Sequence, residues 1–216
     1  MTRPFKDNLY AQLARLGKAL SSPKRLEILD LLAQGPRTVE SVAFQTDQSI
    51  PNASQHLLAL KAAGLLSSTK SGLHVTYRLA DPSVATFLLA FRQLAESQIA
   101  DIERLCSTFF ADSPSPVSAE ELSDRLDRSD IVLLDVRPRE EYESGHLPGA
   151  LSLPLGELES GLRRLPKRKR IVAYCRGPYC IYAHEAVKLL RKRGYKADRM
   201  REGVVEWQAL GLRIES

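Results

Sequence analysis

Apolar residues recur at three- and four-residue intervals through the first part of the chain: Leu9, Leu13 and Leu16; Leu26, Leu29 and Leu32; Val39, Val42 and Ala43; Leu57 and Leu60. That period gathers each group on one face of a helix, so four short helices are expected, punctuated by Gly35-Pro36 and Gly64. After Gly64 the pattern becomes extended, with a turn at Ser71-Gly72 and a return through Val75-Thr76-Tyr77-Arg78-Leu79. The order is that of a helix-turn-helix followed by a β-hairpin wing. Asp81-Pro82 then supplies an N-cap acid and a proline at the first helical position. From there Val84, Leu88, Phe91, Ala95, Ile102, Leu105 and Phe109 keep a spacing of about 3.5 residues. This predicts one helix over 82–110, roughly 28 residues and about 42 Å at the helical rise. A helix that long on so small a domain calls for a partner.

The segment Ala111-Asp112-Ser113-Pro114-Ser115-Pro116-Val117-Ser118 has no apolar period and the composition of a linker. Beyond it the pattern changes to short apolar runs alternating with helical segments. Ile131-Val132-Leu133-Leu134 and Ile171-Val172-Ala173-Tyr174 read as strands covered on both faces, with helices expected around Glu120 to Leu126 and Ala183 to Leu190. Two domains follow: a mainly-α winged helix-turn-helix over 1–111, a linker over 112–118, and an α/β three-layer domain with a parallel sheet over 119–216. No repeat of 20–50 residues is present, which argues against a solenoid.

Composition narrows the class. The chain has 216 residues, is 44% hydrophobic and carries a net charge of +5, shared almost evenly between its halves. Nucleic-acid binding is permitted by this balance but not required by it. Three cysteines, two of them close together, do not form a secreted disulfide framework and fit a reducing compartment. No apolar signal core follows Met1-Thr2-Arg3-Pro4-Phe5, and no run approaches a membrane span. A soluble, cytoplasmic protein with no membrane partner is expected.

The chemistry concentrates in Cys175-Arg176-Gly177-Pro178-Tyr179-Cys180, between an apolar strand and a helical segment. A thiol leaving a buried strand and opening a helix meets unpaired amides and the positive end of the helix dipole, both of which favour thiolate. The loop amides can curl inward into a nest for an oxyanion or a persulfide sulfur, with Gly177 allowing close approach and Pro178 stiffening the curl. In the first half, Ser49, Asn52, Ser54, Gln55 and His56 are polar side chains at a helix start, where base edges and phosphates are met in the major groove. Lys70, His74 and Arg78 on the wing are suited to phosphate or minor-groove contact. Capping and solvation of a helix would use the same residue types.

The first half resembles the ArsR-type winged-helix repressors over about residues 8 to 110. The resemblance is carried by Leu20-Ser21-Ser22-Pro23-Lys24-Arg25-Leu26-Glu27-Ile28-Leu29, by Ser54-Gln55-His56-Leu57, by the Ala63-Gly64-Leu65 turn, and by Tyr77-Arg78-Leu79. It implies double-stranded DNA as partner and a homodimer through helices that include 82–110. The metal sites common in that family do not carry over. Val39 to Gln48 contains no Cys or His, the long helix has no His, and Cys106 alone cannot build a tetrahedral site. No metal and no cofactor are expected, and Cys106 reads as a packed thiol.

The second half resembles rhodanese domains over about residues 117 to 214. The matching pieces are Leu134-Asp135-Val136-Arg137, Glu140-Glu141-Tyr142, Gly145-His146-Leu147-Pro148-Gly149-Ala150, the Cys175 loop, and Gly203-Val204-Val205-Glu206-Trp207. The resemblance implies that Cys175 accepts a sulfane sulfur as a persulfide, from thiosulfate, a polysulfide or another persulfide, and passes it on. Phosphatases of related architecture use a loop one residue longer, so the short loop favours sulfur transfer. The last loop position, often Arg in the family, is Cys180 here. Cys180 as a resolving thiol and Cys180 as a passive helix-start residue both stay open, and Arg176 is the candidate replacement cation. Asp135 and Arg137 read as a supporting ion pair, His146 as a turn-stabilising partner and His184 as a helix-surface residue. The expected function is a transcriptional repressor whose rhodanese domain carries or senses sulfane sulfur. The alternative is a rhodanese-type sulfurtransferase that uses the winged helix mainly to dimerise.

Overall fold

The computed structural model describes residues 3–113, 115–123 and 131–216. The chain divides into two compact units, Met1–Leu88 and Leu89–Ser216.

The first unit contains α1 (Arg3–Leu20), α2 (Pro23–Leu32), β1 (Arg37–Thr38), α3 (Val39–Gln45), α4 (Ile50–Ala62), β2 (Leu66–Ser71) and β3 (His74–Leu79). Thr38 and Ser49 start α3 and α4 as N-caps, their hydroxyls accepting from the Ser41 and Asn52 amides. Ile28, Leu29, Leu32, Val42, Ala53, Leu57 and Leu60 form the core, closed by Tyr77 of the wing. Leu29, Leu32, Val42, Leu57 and Leu60 belong to the helical phases read from the sequence, whereas Ile28 and Ala53 do not and Leu26 is only half-buried. The three strands order β1-β3-β2, all antiparallel, and Gly72 turns the hairpin at φ +59°. In α1 only Ala19 is buried, and Phe5, Leu9, Leu13 and Leu16 lie exposed along one stripe.

The expected single helix over 82–110 is two. α5 spans Pro82–Gln98 and α6 spans Ala100–Phe109, with Ile99 extended between them at φ −115° and ψ 92°. The apolar phase runs through the break, which is why the sequence does not reveal it. Ser97 turns its hydroxyl onto the Leu94 carbonyl, and Asp101 and Glu103 occupy the first turn of α6. Hydroxyl back-bonding loosens the end of one helix while the acids favour a new N-terminus. Val84 and Leu88 of α5 pack on the first core, and residues from Leu89 onward belong to the second unit.

The second unit continues with α7 (Ala119–Ser123), β4 (Ile131–Asp135), α8 (Arg139–Ser144), β5 (Leu151–Ser152), α9 (Leu158–Gly161), β6 (Arg170–Tyr174), α10 (Ile181–Lys192), β7 (Ala197–Arg199) and α11 (Val204–Ala209). Four parallel strands order β5-β4-β6-β7. Alternation along β6 sends Ile171, Ala173 and Cys175 to one face, against Ala183, Ala186, Val187 and Leu190 of α10. Val172 and Tyr174 go to the other, with Leu122, Val204 and Trp207. This is the three-layer arrangement expected from strands apolar on both faces. Pro114 of the expected linker and residues 124–126 of the expected first helix lie outside the described residues.

Candidate functional site

β6 delivers Cys175 to its C-terminal end, and Cys180 is the N-cap residue of α10. The loop between them is the strand-to-helix turn expected at this edge of a parallel sheet. Cys175 is 2% exposed, and its thiol donates to the Cys180 carbonyl at 3.5 Å. Gly177 takes φ +138°, which an L side chain rarely adopts, and a Cβ there would lie 2.9 Å from Glu206 Oε1. On the other wall, a Cβ at Gly203 would lie 2.5 Å from the Arg176 carbonyl carbon, so only glycine lets this turn close over the loop.

The two thiols act as a pair. Burial, followed by the hydrogen bond and charge shared with Cys180, pushes Cys175 well above the usual thiol range, although the Gly177 and Ala183 amides favour its thiolate. Cys180 is lowered to about 7, first by the hydrogen bond with Cys175, then by the Arg176 and Tyr182 amides and the Arg176 guanidinium. The helix start expected to favour the Cys175 thiolate is outweighed there by burial, whereas the surroundings of Cys180, the Arg176 guanidinium among them, favour its thiolate. The inward nest is also smaller than expected, because the Cys180 amide donates to Gly177 O at 3.1 Å within the loop.

Asp135 and Arg137 form an ion pair at 2.6 Å with both side chains fully buried, and Arg137 also donates to Gly145 O at 2.7 Å. The pair ties β4 to the turn holding His146, whose Nδ1 lies 2.9 Å from Tyr142 O and whose ring stacks on Tyr142. Arg176, the candidate cation, is committed elsewhere. It bonds Glu141 of α8 at 2.6–3.1 Å, although its field still favours the Cys180 thiolate.

In the first unit Ser49 is the N-cap of α4 and is exposed. Asn52, Gln55 and His56 share one side of α4 by their spacing, with Asn52 and Gln55 exposed and His56 half-buried. Ser54 lies on the opposite flank, half-buried. On the wing, the register places His74 and Arg78 on the face of Ser67, Thr69 and Ser71, with Arg78 bonded to Ser67 Oγ, whereas Lys70 pairs with Val75 on the other face. All three wing residues are exposed.

A sequence model of the bacterial regulatory protein arsR family matches residues 22–68, and one of the rhodanese-like domain matches residues 118–210. Over 210 residues the chain is 39% identical to the HTH-type transcriptional regulator Rv0324 of Mycobacterium tuberculosis, covering 97% of this chain and 93% of that protein. The chain is an arsR-family transcriptional regulator bearing a rhodanese-like domain. This regulator is also 34% identical over 100 residues to a sulfurtransferase of Allochromatium vinosum, covering 45% of this chain and 92% of that one. The homodimeric winged helix-turn-helix domain of Mycobacterium bovis Mb0332, solved by NMR, is 41% identical and covers 44% of this chain and 87% of that one, at a TM-score of 0.42.

Several residues around the Cys175 loop carry no motif signal. Tyr179 of the loop donates to Glu96 Oε1 of α5 at 2.6 Å, with the Arg92 guanidinium 5.2 Å from its ring centre. Arg92 pairs with Glu206, whose other oxygen accepts from the Gly203 amide. α5 residues thus hold both walls of the Cys175 loop. His184, expected on the helix surface, is buried with Phe109 and Phe110 against it and Ser113 Oγ on its Nδ1. α10 is covered on two sides, by the sheet and by these aromatics. Arg199 of β7 is buried beside the three cysteines, whose negative charge would support its own. Among the described residues no group of three or more His, Cys, Asp or Glu is placed to hold a metal ion, and no helix is long and apolar enough to cross a membrane.

Proposed function

We propose that this regulator is a repressor whose grip on its operator is set by sulfane sulfur taken up at Cys175. Residues 1–111 serve as the DNA-binding and dimerisation part, 112–118 as linker and 119–216 as the sulfur-handling part. Asn52, Gln55 and His56, with Ser49 and Ser54 at the same helix start, read base edges and phosphates. Lys70, His74 and Arg78 contact backbone from the wing. The exposed stripe Phe5, Leu9, Leu13 and Leu16 of α1 is the apolar surface a second copy would cover.

The observation that carries this reading is the hydrogen-bonded pair Cys175–Cys180 within a loop gripped by α5. Cys180, ionised near neutrality, accepts the Cys175 proton as the Cys175 sulfur attacks the sulfane sulfur of a donor. With thiosulfate, the new bond is Sγ–S, the donor S–S bond breaks, and sulfite leaves with the electron pair. The persulfide adds a sulfur atom and a charge to a filled site. The strain falls on Pro178 and Tyr179 and reaches α5 through Glu96, and α5 also carries Val84 and Leu88 of the winged-helix core.

An operator-shift titration with and without polysulfide, on wild type and Cys175→Ser, tests the reading. A polysulfide response confined to wild type supports it. Equal responses overturn it, as does steady sulfur turnover without any sequence-selective DNA binding. The latter would establish the sulfurtransferase reading instead.

A further inference from the structure

Arg199 lies beside the Cys175 loop, whose own arginine, Arg176, is held by Glu141. Parallel pairing sets it opposite Ala173, and paired residues leave a sheet on the same face. Cys175 follows two residues after Ala173 and therefore projects to that face as well. The arginine is 6% exposed. One terminal nitrogen donates to Pro178 O of the Cys175 loop at 3.3 Å, and the guanidinium carbon lies 4.1 Å from the centre of the Phe110 ring. Its Nε is buried with no acceptor among the described residues.

Four other arginines of this unit have a carboxylate: Arg92 has Glu206, Arg137 has Asp135, Arg176 has Glu141 and Arg170 has Asp198. Among the described residues no carboxylate pairs with Arg199. A desolvated guanidinium with an unfilled N–H is costly unless something negative completes it. Burial weakens its hold on its proton, as does the nearby Arg201 charge, whereas the sulfurs of Cys175, Cys106 and Cys180 restore it.

We propose that Arg199 is an anion-binding residue of the sulfur site, receiving the negatively charged part of the incoming donor through its unfilled Nε–H and orienting the sulfane sulfur toward Cys175. It does from β7 what an arginine at the last loop position would do, and it leaves Cys180 free as the partner thiol. The inference deepens the proposed sulfur chemistry and rests on that reading for its substrate, a sulfane-sulfur oxyanion such as thiosulfate. The planar fork, its central carbon 4.1 Å from the Phe110 ring centre, fits an oxyanion better than a flexible ammonium would.

The test compares two alkylating agents that react at the same carbon by the same displacement, anionic iodoacetate and neutral iodoacetamide. In each, a C–S bond forms and iodide leaves with the electron pair. Trypsin cleaves after Arg176, so modification of Cys175 is read separately from that of Cys180 by peptide mass. Access to the buried sulfur is common to both reagents and cancels in their rate ratio. Arg199→Gln is expected to slow iodoacetate about tenfold at Cys175 while iodoacetamide changes less than about twofold, with Arg199→Lys between. A parallel loss of both rates, or of neither, overturns the subsite.

Wild type gives an independent reading that needs no variant to fold. Inorganic sulfate is expected to slow iodoacetate several-fold and leave iodoacetamide unchanged, and equal slowing of the two would contradict the proposal. Because alkylation needs no sulfur transfer, this test can fail while the persulfide reading survives, and the reverse also holds.

Discussion

Replacing Glu141 with Gln removes the carboxylate that holds Arg176 of the Cys175 loop. Glu141 is fully buried and the Arg176 side chain is 15% exposed, with guanidinium contacts of 2.6–3.1 Å. Breaking a buried pair by removing one partner costs about 3–5 kcal/mol, because the remaining charge is left desolvated. Gln keeps one acceptor, so about 3 kcal/mol is expected for Glu141→Gln. For a unit of this size that lowers the melting temperature by about 10 °C. The double variant Glu141→Leu with Arg176→Met replaces both charges by apolar groups and is expected to regain most of the loss. Calorimetry or denaturant unfolding of the full chain, resolving the second unit, supplies the measurement. A single-variant loss below about 1 kcal/mol, or a double variant no more stable than the single, would refute the claim that this ion pair holds the loop.

Iodoacetamide labelling of Cys180 should rise with a midpoint near pH 7, since the hydrogen bond from Cys175 favours its thiolate, and Cys175→Ala should move that midpoint upward. A wild-type midpoint near 9 would remove Cys180 as proton acceptor. Gly203→Ala places a Cβ against the Arg176 backbone, 2.5 Å from its carbonyl carbon, and is expected to cost about 1–3 kcal/mol in chemical denaturation. An unchanged stability would mean that the turn can open without penalty. Leu9→Glu with Leu13→Glu should yield a folded monomer by analytical ultracentrifugation, and a dimer unaffected by both charges would exclude the α1 stripe as the contact between copies.

Much of the architecture was legible because local chemistry and burial agree. Thr38 and Ser49 are N-cap residue types standing immediately before helical apolar phases, and both cap. β4 and β6 read as buried strands because both of their faces meet helices. The Cys175 loop was visible for the same reason, as a polar, glycine-containing interval between a buried strand and an amphipathic helix. What the sequence concealed depends on distant parts of the chain. Arg92 and Glu206 are separated by 114 positions and Arg176 and Glu141 by 35, and no periodicity encodes such pairings. Arg199 left a faint signal, since it shares the inward phase of β7 with Ala197 and an arginine in that phase requires a partner. The buried state of His184 followed from α6 packing on α10, and the break at Ile99 that shapes α6 was invisible because Phe91, Ala95 and Ile102 stay in phase across it.

Operator affinity measured by fluorescence anisotropy before and after polysulfide treatment, with the mass of Cys175 read on the same samples, tests the account most directly. Wild type is expected to gain 32 Da on Cys175 and to lose operator affinity in proportion to that gain, while Cys175→Ser keeps its affinity unchanged. A wild-type protein fully persulfidated at Cys175 that still binds its operator as tightly as before would contradict it.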